Sequence, residues 1–577
     1  MKTIMLGNEA FARGAYEAGV TVVASYPGTP STEITECTAK MKEIHSEWAP
    51  NEKVAVEVAV GASVGGARAL SCMKHVGLNV AADPVFTASY TGVNGGLVIL
   101  VADDPSMPSS QNEQDSRFYA RSSHIPMLEP SDSQEAKDFM IRAYELSEKF
   151  DTPFFMRSTT RISHSRGIVE TGERIDYQVK DYESDPAKYV MMPNYARLRH
   201  VFVEQRMKDI KEFAFDCDLN RIEMNDTAIG IVTSGVCYQY VKEACPDASV
   251  LKLGMVYPIN TDLIKSFAEK VDKLYIVEEL EPFIENQCKA AGIKCTGKEL
   301  FTVQGEYSAN MVKESILGIK TEGAKAATVP ARPPALCPGC PHRAVFYTLK
   351  SLKLKAFGDI GCYTLGAVPP LSSIDTTVCM GASIGMAHGA EMARGGEFAA
   401  KSVAVIGDST FLHSGITGLL NTVYNAGTST VIILDNSTTG MTGHQDHPGT
   451  GKNAMGEMAP AVDIVKLADA LGVKNIRVID PFDLKGLKAV LKEETSRREP
   501  SLIVTRRPCI LLDKKNIHPA FKENTDKCKN CGMCMKLGCP AICKTEKDIA
   551  IDATLCTGCG LCADVCAFDA IEAGGDK

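Results

Sequence analysis

Across residues 1–195, apolar positions come in short runs, clearest at 20–25, 96–102 and 153–156. Each run is followed by turn or polar residues and then a longer amphipathic stretch. That rhythm predicts strands alternating with helices, hence a mainly parallel sheet covered by helices. Residues 170–225 are charged and poor in strand signals and predict a helical connector, bounded at 196–225. Strand-like runs return at 227–235, 250–258 and 273–279, each opening a helical stretch. A linker at 321–336 is stiffened by Pro330, Pro333 and Pro334. Residues 337–520 make another α/β block, with strands expected at 402–406, 430–434 and 501–505. The expected organisation is 1–195, 196–225, 226–325, 337–520 and a small tail at 521–577.

At 577 residues the chain exceeds the ~250–300 at which single cores stop growing, and about four domains is the expectation. Hydrophobic residues at 45% and charged residues at 23% describe an ordinary globular protein. A net charge of −9 offers no basic footprint, so no nucleic-acid partner is expected. No apolar run approaches the ~18 residues that span a bilayer. Asn8, Glu9, Arg13 and Glu17 interrupt the N-terminal apolar positions, unlike a secretory signal. With 21 cysteines and no export signal, a cytoplasmic, reducing location is expected, in an oxygen-poor host.

Nine of those cysteines lie in the last fifty residues, in two similar runs. Cys528, Cys531 and Cys534 are followed by Cys539 and Cys543; Cys556, Cys559 and Cys562 are followed by Cys566. Cysteines at i, i+3 and i+6 wrap one corner of an iron–sulfur cube, with a fourth thiolate from the other run, as in bacterial two-cluster ferredoxins. Zinc pairs two C-x-x-C knuckles without a third cysteine in each, and a disulfide framework needs an oxidising compartment. Interleaving assigns Cys528, Cys531, Cys534 and Cys566 to one 4Fe–4S cluster and Cys539, Cys556, Cys559 and Cys562 to a second. The spacer from Cys534 to Cys539 is one residue longer than the usual pattern, so Cys543 remains an alternative to Cys539.

After the strand at 402–406 comes Gly407-Asp408-Ser409, and after that at 430–434 comes Asp435-Asn436. Acidic and amide groups at the carboxyl ends of parallel strands sit where α/β sheets bind ligands. Hard oxygen donors there suit Mg²⁺ completed by phosphates. The spacing resembles the diphosphate motif of thiamine-diphosphate enzymes. That resemblance implies that Asp408 and Asn436 bind the metal through side chains and Thr438 through its carbonyl. Gly381, in the run 379–387, permits close backbone approach of a cofactor. Glu57, inside the apolar run 54–62, is expected on a buried helix, where burial raises a carboxyl pKa toward proton-transfer values. Glu52 precedes that run and ranks lower.

The whole chain resembles the 2-oxoacid:ferredoxin oxidoreductases, most closely the large, alpha subunits of the indolepyruvate type. The resemblance rests on residues 25–31 (Ser-Tyr-Pro-Gly-Thr-Pro-Ser), Glu57, Cys337-Pro338-Gly339-Cys340-Pro341-His342, the thiamine motif and the two-cluster tail, in that order. It implies an α/β fold with pyrimidine-binding (1–195), transketolase C-terminal-like (226–325) and diphosphate-binding (337–520) domains, plus a ferredoxin-like α+β tail. It places Thr29 beside the 2-oxo acid, Glu57 at the aminopyrimidine nitrogen, and Arg121 (alternatively Arg117) on the substrate carboxylate. It also implies a third cluster on Cys337, Cys340, Cys362 and Cys509; free buried thiols or zinc are the alternatives. Met441 stands where pyruvate-directed relatives have a polar residue and favours a large aryl side chain, unless it is loop packing.

The reaction so implied turns an aryl 2-oxo acid, coenzyme A and oxidised ferredoxin into aryl-acetyl-CoA, CO₂ and reduced ferredoxin, with a separate small beta subunit. Other readings are an oxidoreductase for another 2-oxo acid such as pyruvate, a non-oxidative thiamine decarboxylase or synthase, and an electron-transfer subunit without catalysis. His444 and His447 remain loop histidines of no assigned role.

Overall fold

The computed structural model describes residues 1–321, 328–329, 333–545 and 548–574. The chain forms two compact units, Met1–Ala326 and Ala327–Lys577. The expected linker at 321–336 lies partly outside the described residues, Pro330 included.

The first unit carries a seven-stranded sheet in the order Met255–Tyr257, Met127–Leu128, Phe154–Thr159, Leu97–Asp103, Ala69–Lys74, Val22–Ser25, His45–Trp48. Neighbours are parallel except Met255–Tyr257, which is antiparallel to Met127–Leu128. Leu97–Asp103 is buried at every position. A central parallel strand is covered on both faces, which is why it reads as an unbroken apolar run. The helix Glu52–Val64 starts at Asn51, whose side chain accepts from the Val54 amide at 3.0 Å.

A second sheet runs Lys273–Val277, Asp226–Ser234, Ala248–Leu253, Arg221–Glu223, the last antiparallel to its neighbour. Two expectations change here. The run 250–258, read as one strand, breaks at Gly254; its first half stays in this sheet and Met255–Tyr257 joins the seven-stranded one. A Cβ at Gly254 would collide with the Leu219 carbonyl and the Phe139 ring, so only glycine passes this point. The stretch 170–225 is not uniformly helical. Arg166–Glu170 pairs with Lys2–Leu6, residues 171–185 form neither helix nor strand, Pro193–Phe213 is helical, and Arg221–Glu223 is a strand. The open edge of Ala248–Leu253 captures those last residues, a pairing that outweighs their weak local preference. One apolar core joins the sheets, from Val101 and Phe155 to Val232, Leu251 and Phe267.

The second unit carries a five-stranded parallel sheet, Lys355–Phe357, Ser402–Gly407, Thr430–Asp435, Ser501–Arg506, Asn475–Ile479. Val403, Val405, Ile432, Leu434 and Ile503 feed the core on one face. Ala404, Ile406, Val431, Ile433, Leu502 and Val504 feed the core on the other, the period-two pattern of a sheet covered twice. The tail adds two two-stranded ribbons, Lys522–Glu523 with Ile571–Glu572 and Ile542–Lys544 with Ile549–Ile551. Leu537, Ile542, Leu561 and Ile571 pack there against Ala344 of the helix His342–Leu352. Among the described residues no helix is long and apolar enough to cross a membrane.

Candidate active site

Gly407 ends the strand Ser402–Gly407, and Asp408 follows it with 2% exposure. The Asp408 carboxylate accepts from the amides of Ser409 and Ser437, each at 2.8 Å. His447 Nε2 lies 3.3 Å from its other side. Burial pushes this carboxyl above the usual carboxylate range, against the pull of His447. Asn436 follows the neighbouring strand; with its amide nitrogen turned inward it donates to Asp408 Oδ1 at 3.2 Å and to the Thr438 carbonyl at 3.0 Å. Asp408, Asn436 and the Thr438 carbonyl therefore converge. Turning the amide the other way would present three oxygens to one point, a donor set that fits a hard cation such as Mg²⁺.

Gly381 begins the helix Ala382–Arg394 at φ +85°, and a Cβ there would strike Ser414. Its amide and that of Ser383 donate to the two oxygens of buried Asp359 at 2.8 and 3.0 Å. Ser409 Oγ accepts from Thr439 Oγ1 at 2.9 Å. Met441, in the turn Gly440–Thr442, is half-exposed.

Cys337, Cys340, Cys362 and Cys509 gather beside this loop. The Cys509 amide donates to the Asn436 carbonyl at 3.0 Å, and a Cβ on Gly440 would sit 3.5 Å from Cys362 Sγ. Burial first, and then the charges of neighbouring cysteines in the set, push the Cys362 thiol up to about 11 and that of Cys340 to about 12. His444 Nε2 lies 3.7 Å from Cys509 Sγ.

In the tail, Cys528, Cys531, Cys534 and Cys566 line one cavity, with Ile549, Phe568 and Ile571 among its walls. Cys539, Cys556, Cys559 and Cys562 line another, closed by Leu537, Ile542, Ile551 and Leu561. Cys543 lines neither; it is exposed on the ribbon Ile542–Lys544 and its thiol faces the Ala550 carbonyl.

In the first unit, Thr29 sits in the loop after the strand Val22–Ser25, and its carbonyl accepts from Ser109 Oγ at 3.4 Å. Glu57 is not buried within this unit. Its side chain is 45% exposed and ion-paired with Lys53, one turn back. Ala55, Val56, Ala59 and Ser63 face the sheet, which turns the row Lys53, Glu57 and Gly61 outward. The buried carboxylate of this helix is Glu52, 5% exposed and packed against Gly77. Arg121 is exposed beside Tyr257 and makes no hydrogen bond to the Thr29 loop. Arg117 is fully buried and tied to Asp115 and Glu278, which removes it as a ligand for substrate. The basic group at the Thr29 loop is Lys74. Its ammonium donates to the Ser109 carbonyl at 2.8 Å, and burial pulls it down to about 8.

Lys74, Asp359 and His447 went unassigned in the sequence. Gly358-Asp359 repeats the Gly-Asp pair of 407–408 at another strand end, a signal that could have found Asp359. Lys74 ends an apolar strand, where a charge is unusual without a task.

A strand-end oxygen cluster and gathered thiols in one chain define a class, and comparison with known proteins agrees with it. Residues 359–505 match the thiamine pyrophosphate enzyme C-terminal TPP-binding domain. Residues 13–222 match the thiamine-diphosphate-binding domain of pyruvate flavodoxin/ferredoxin oxidoreductases, and 549–572 a 4Fe-4S binding domain. The chain is an oxidoreductase acting on an oxo group, dependent on thiamine diphosphate and with an iron–sulfur acceptor. It is 41% identical to the indolepyruvate oxidoreductase subunit IorA of Archaeoglobus fulgidus, over 99% of this chain and 97% of that one. The same-named protein of Thermococcus kodakarensis matches at 41% with the same coverage. A 2-oxoglutarate synthase subunit KorA of Methanocaldococcus jannaschii is 27% identical over 50% of this chain and 92% of its own. The chain belongs to the indolepyruvate oxidoreductase subunit IorA family.

Proposed function

We propose that this subunit, with a separate small beta subunit, oxidatively decarboxylates aryl 2-oxo acids of the indolepyruvate type. One aryl 2-oxo acid, one coenzyme A and two oxidised ferredoxins give aryl-acetyl-CoA, CO₂, one proton and two reduced ferredoxins. The observation that carries this reading is the convergence of Asp408, Asn436 and the Thr438 carbonyl beside four gathered cysteines. The indolepyruvate named in its relatives supports the substrate class.

Bound thiamine diphosphate supplies the electron sink for decarboxylation. Asp408, Asn436 and Thr438 would hold Mg²⁺, and Gly381, Gly407 and Ser409 would help hold the diphosphate. Asp359 fixes the glycine turn by accepting two of its amides. Glu57 presents its carboxylate outward, where it can exchange a proton with the aminopyrimidine nitrogen. Thr29 borders the 2-oxo acid. For the substrate carboxylate Lys74 is favoured over Arg121, because its buried ammonium at the Thr29 loop has one carbonyl partner and no ion pair among the described residues. Met441 offers a polarizable apolar surface to an aryl group. Cys337, Cys340, Cys362 and Cys509 would hold a cluster able to accept the first electron. Cys539, Cys556, Cys559 and Cys562, and then Cys528, Cys531, Cys534 and Cys566, would hold the clusters that pass it on to ferredoxin.

An anaerobic assay of the chain with its small partner tests this. Coenzyme-A-dependent reduction of ferredoxin is compared for indolepyruvate, phenylpyruvate, pyruvate and 2-oxoglutarate. The aryl acids should lead; pyruvate turning over best would overturn the substrate assignment.

A further inference from the structure

Arg343, in the first turn of the helix His342–Leu352, is 2% exposed. Among the described residues no carboxylate lies within ion-pairing distance of it. Its guanidinium donates to three backbone carbonyls instead, Leu537 at 2.7 Å, Leu336 at 2.5 Å and Cys337 at 3.0 Å, and Nε has no partner. An isolated buried cation costs several kcal/mol even after relaxation, and neutral carbonyls offset only part of that. The surroundings should therefore hold an anion.

Two sets of thiols flank it. Arg343 lines the cavity of Cys539, Cys556, Cys559 and Cys562, and so do Pro338 and Gly339, the two residues between Cys337 and Cys340. Its hydrogen bonds join the same two regions, through the Leu336 and Cys337 carbonyls on one side and Leu537 on the other. The cavity of Cys528, Cys531, Cys534 and Cys566 does not include it.

We propose that Arg343 is the shared counter-charge of two anionic iron–sulfur clusters, one on Cys539, Cys556, Cys559 and Cys562 and one on Cys337, Cys340, Cys362 and Cys509, and that it raises the reduction potential of both. This rests on the cluster assignments of the proposed function. Each cluster gains one electron and one unit of negative charge on reduction, with no bond made and no proton moved. A fixed positive charge beside it stabilises the reduced form, and cluster potentials respond to such charge.

The test is an EPR-monitored redox titration of the anaerobically purified chain with its small partner, with signals assigned through Cys531→Ser and Cys559→Ser. Arg343→Met and Arg343→Gln should lower the potentials of the two flanking clusters. The oxidised-to-reduced ratio at fixed potential should rise about tenfold, about 59 mV for a one-electron couple. The cluster on Cys528, Cys531, Cys534 and Cys566 should not move. Arg343→Lys should recover most of the native potential, since it keeps the charge without the three-carbonyl fork. Unmoved potentials in a fully iron-loaded Arg343→Met protein would overturn the proposal, as would a Lys variant shifted as far as Met. If Met and Gln fail to load iron, a loaded Lys variant with native potentials supports it and an unloaded one overturns it. Wild-type iron and sulfide too low for these clusters would instead overturn the cluster reading beneath it.

Discussion

Arg117 in the first unit and Arg343 in the second are equally hidden from water, at 1% and 2% exposure. Arg117 bonds both oxygens of Asp115, reaches Glu278 at 2.5 Å, and donates to the carbonyls of Glu279 and Glu281 at 3.0 Å. Close by, Arg157 bonds Asp103 at 2.7 Å and pairs with Glu129. Each of these two guanidinium groups has opposite charges from the same chain. Among the described residues Arg343 has only carbonyls. The contrast separates two uses of a buried cation: one closes a network and holds two sheets together, the other leaves its charge open to something the chain must bind.

The largest expected effect breaks the closed network. Arg117→Met leaves Asp115 and Glu278 buried without their cation and should cost about 3–5 kcal/mol, read from urea unfolding of the full chain. Adding Glu278→Gln should recover part of the loss; no recovery would mean that lost packing around Phe283, which the guanidinium overlies, dominates. Next comes iron removal. Anaerobic chelation should open residues 521–574 to limited proteolysis and leave 1–321 resistant, because the tail cavities depend on metal to bind their thiolates and 1–321 carries none of the proposed cluster ligands. Equal cleavage in both regions would contradict this.

A smaller effect is expected from Arg343→Met in iron-free protein. Stability should change by no more than about 1 kcal/mol, since three lost carbonyl bonds are offset by release of an uncompensated charge. A loss as large as that of Arg117→Met would put the two arginines in one class. The smallest effect concerns Glu279, whose carboxyl burial pushes up to about 7 although the Tyr307 amide donates to it at 2.8 Å. An acid with a folded pKa above its ordinary 4.5 holds its proton more tightly when folded. Its contribution is complete below that ordinary value and is lost as pH rises to about 7. Glu279→Gln should therefore gain stability relative to wild type between those limits, by calorimetry. Parallel pH curves would reject the shift.

What could be read from the chain alone follows from how local each signal is. Three cysteines at i, i+3 and i+6 define their own turn, and Gly407-Asp408 and Asn436 sit at the ends of strands with apolar interiors. The side of the helix Glu52–Val64 that carries Glu57 was not legible, because small and apolar residues occupy both faces and packing alone decides which meets the sheet. Arg117 was open as a substrate ligand for a similar reason. Its partner Glu278 is 161 residues away, and nothing local announces that pairing. Arg343 follows a C-x-x-C turn, but only the fold reveals that no acid answers it.

Gly254 bears on the history of this protein as well as its shape. Because the chain crosses there from one sheet to the other, the segment 226–320 is not a cassette that recombination can lift out intact. Removing it would strip Met255–Tyr257 from the seven-stranded sheet and leave the border strand Met127–Leu128 uncovered. A lineage that dispenses with this segment must therefore evolve a new edge for the seven-stranded sheet at the same time.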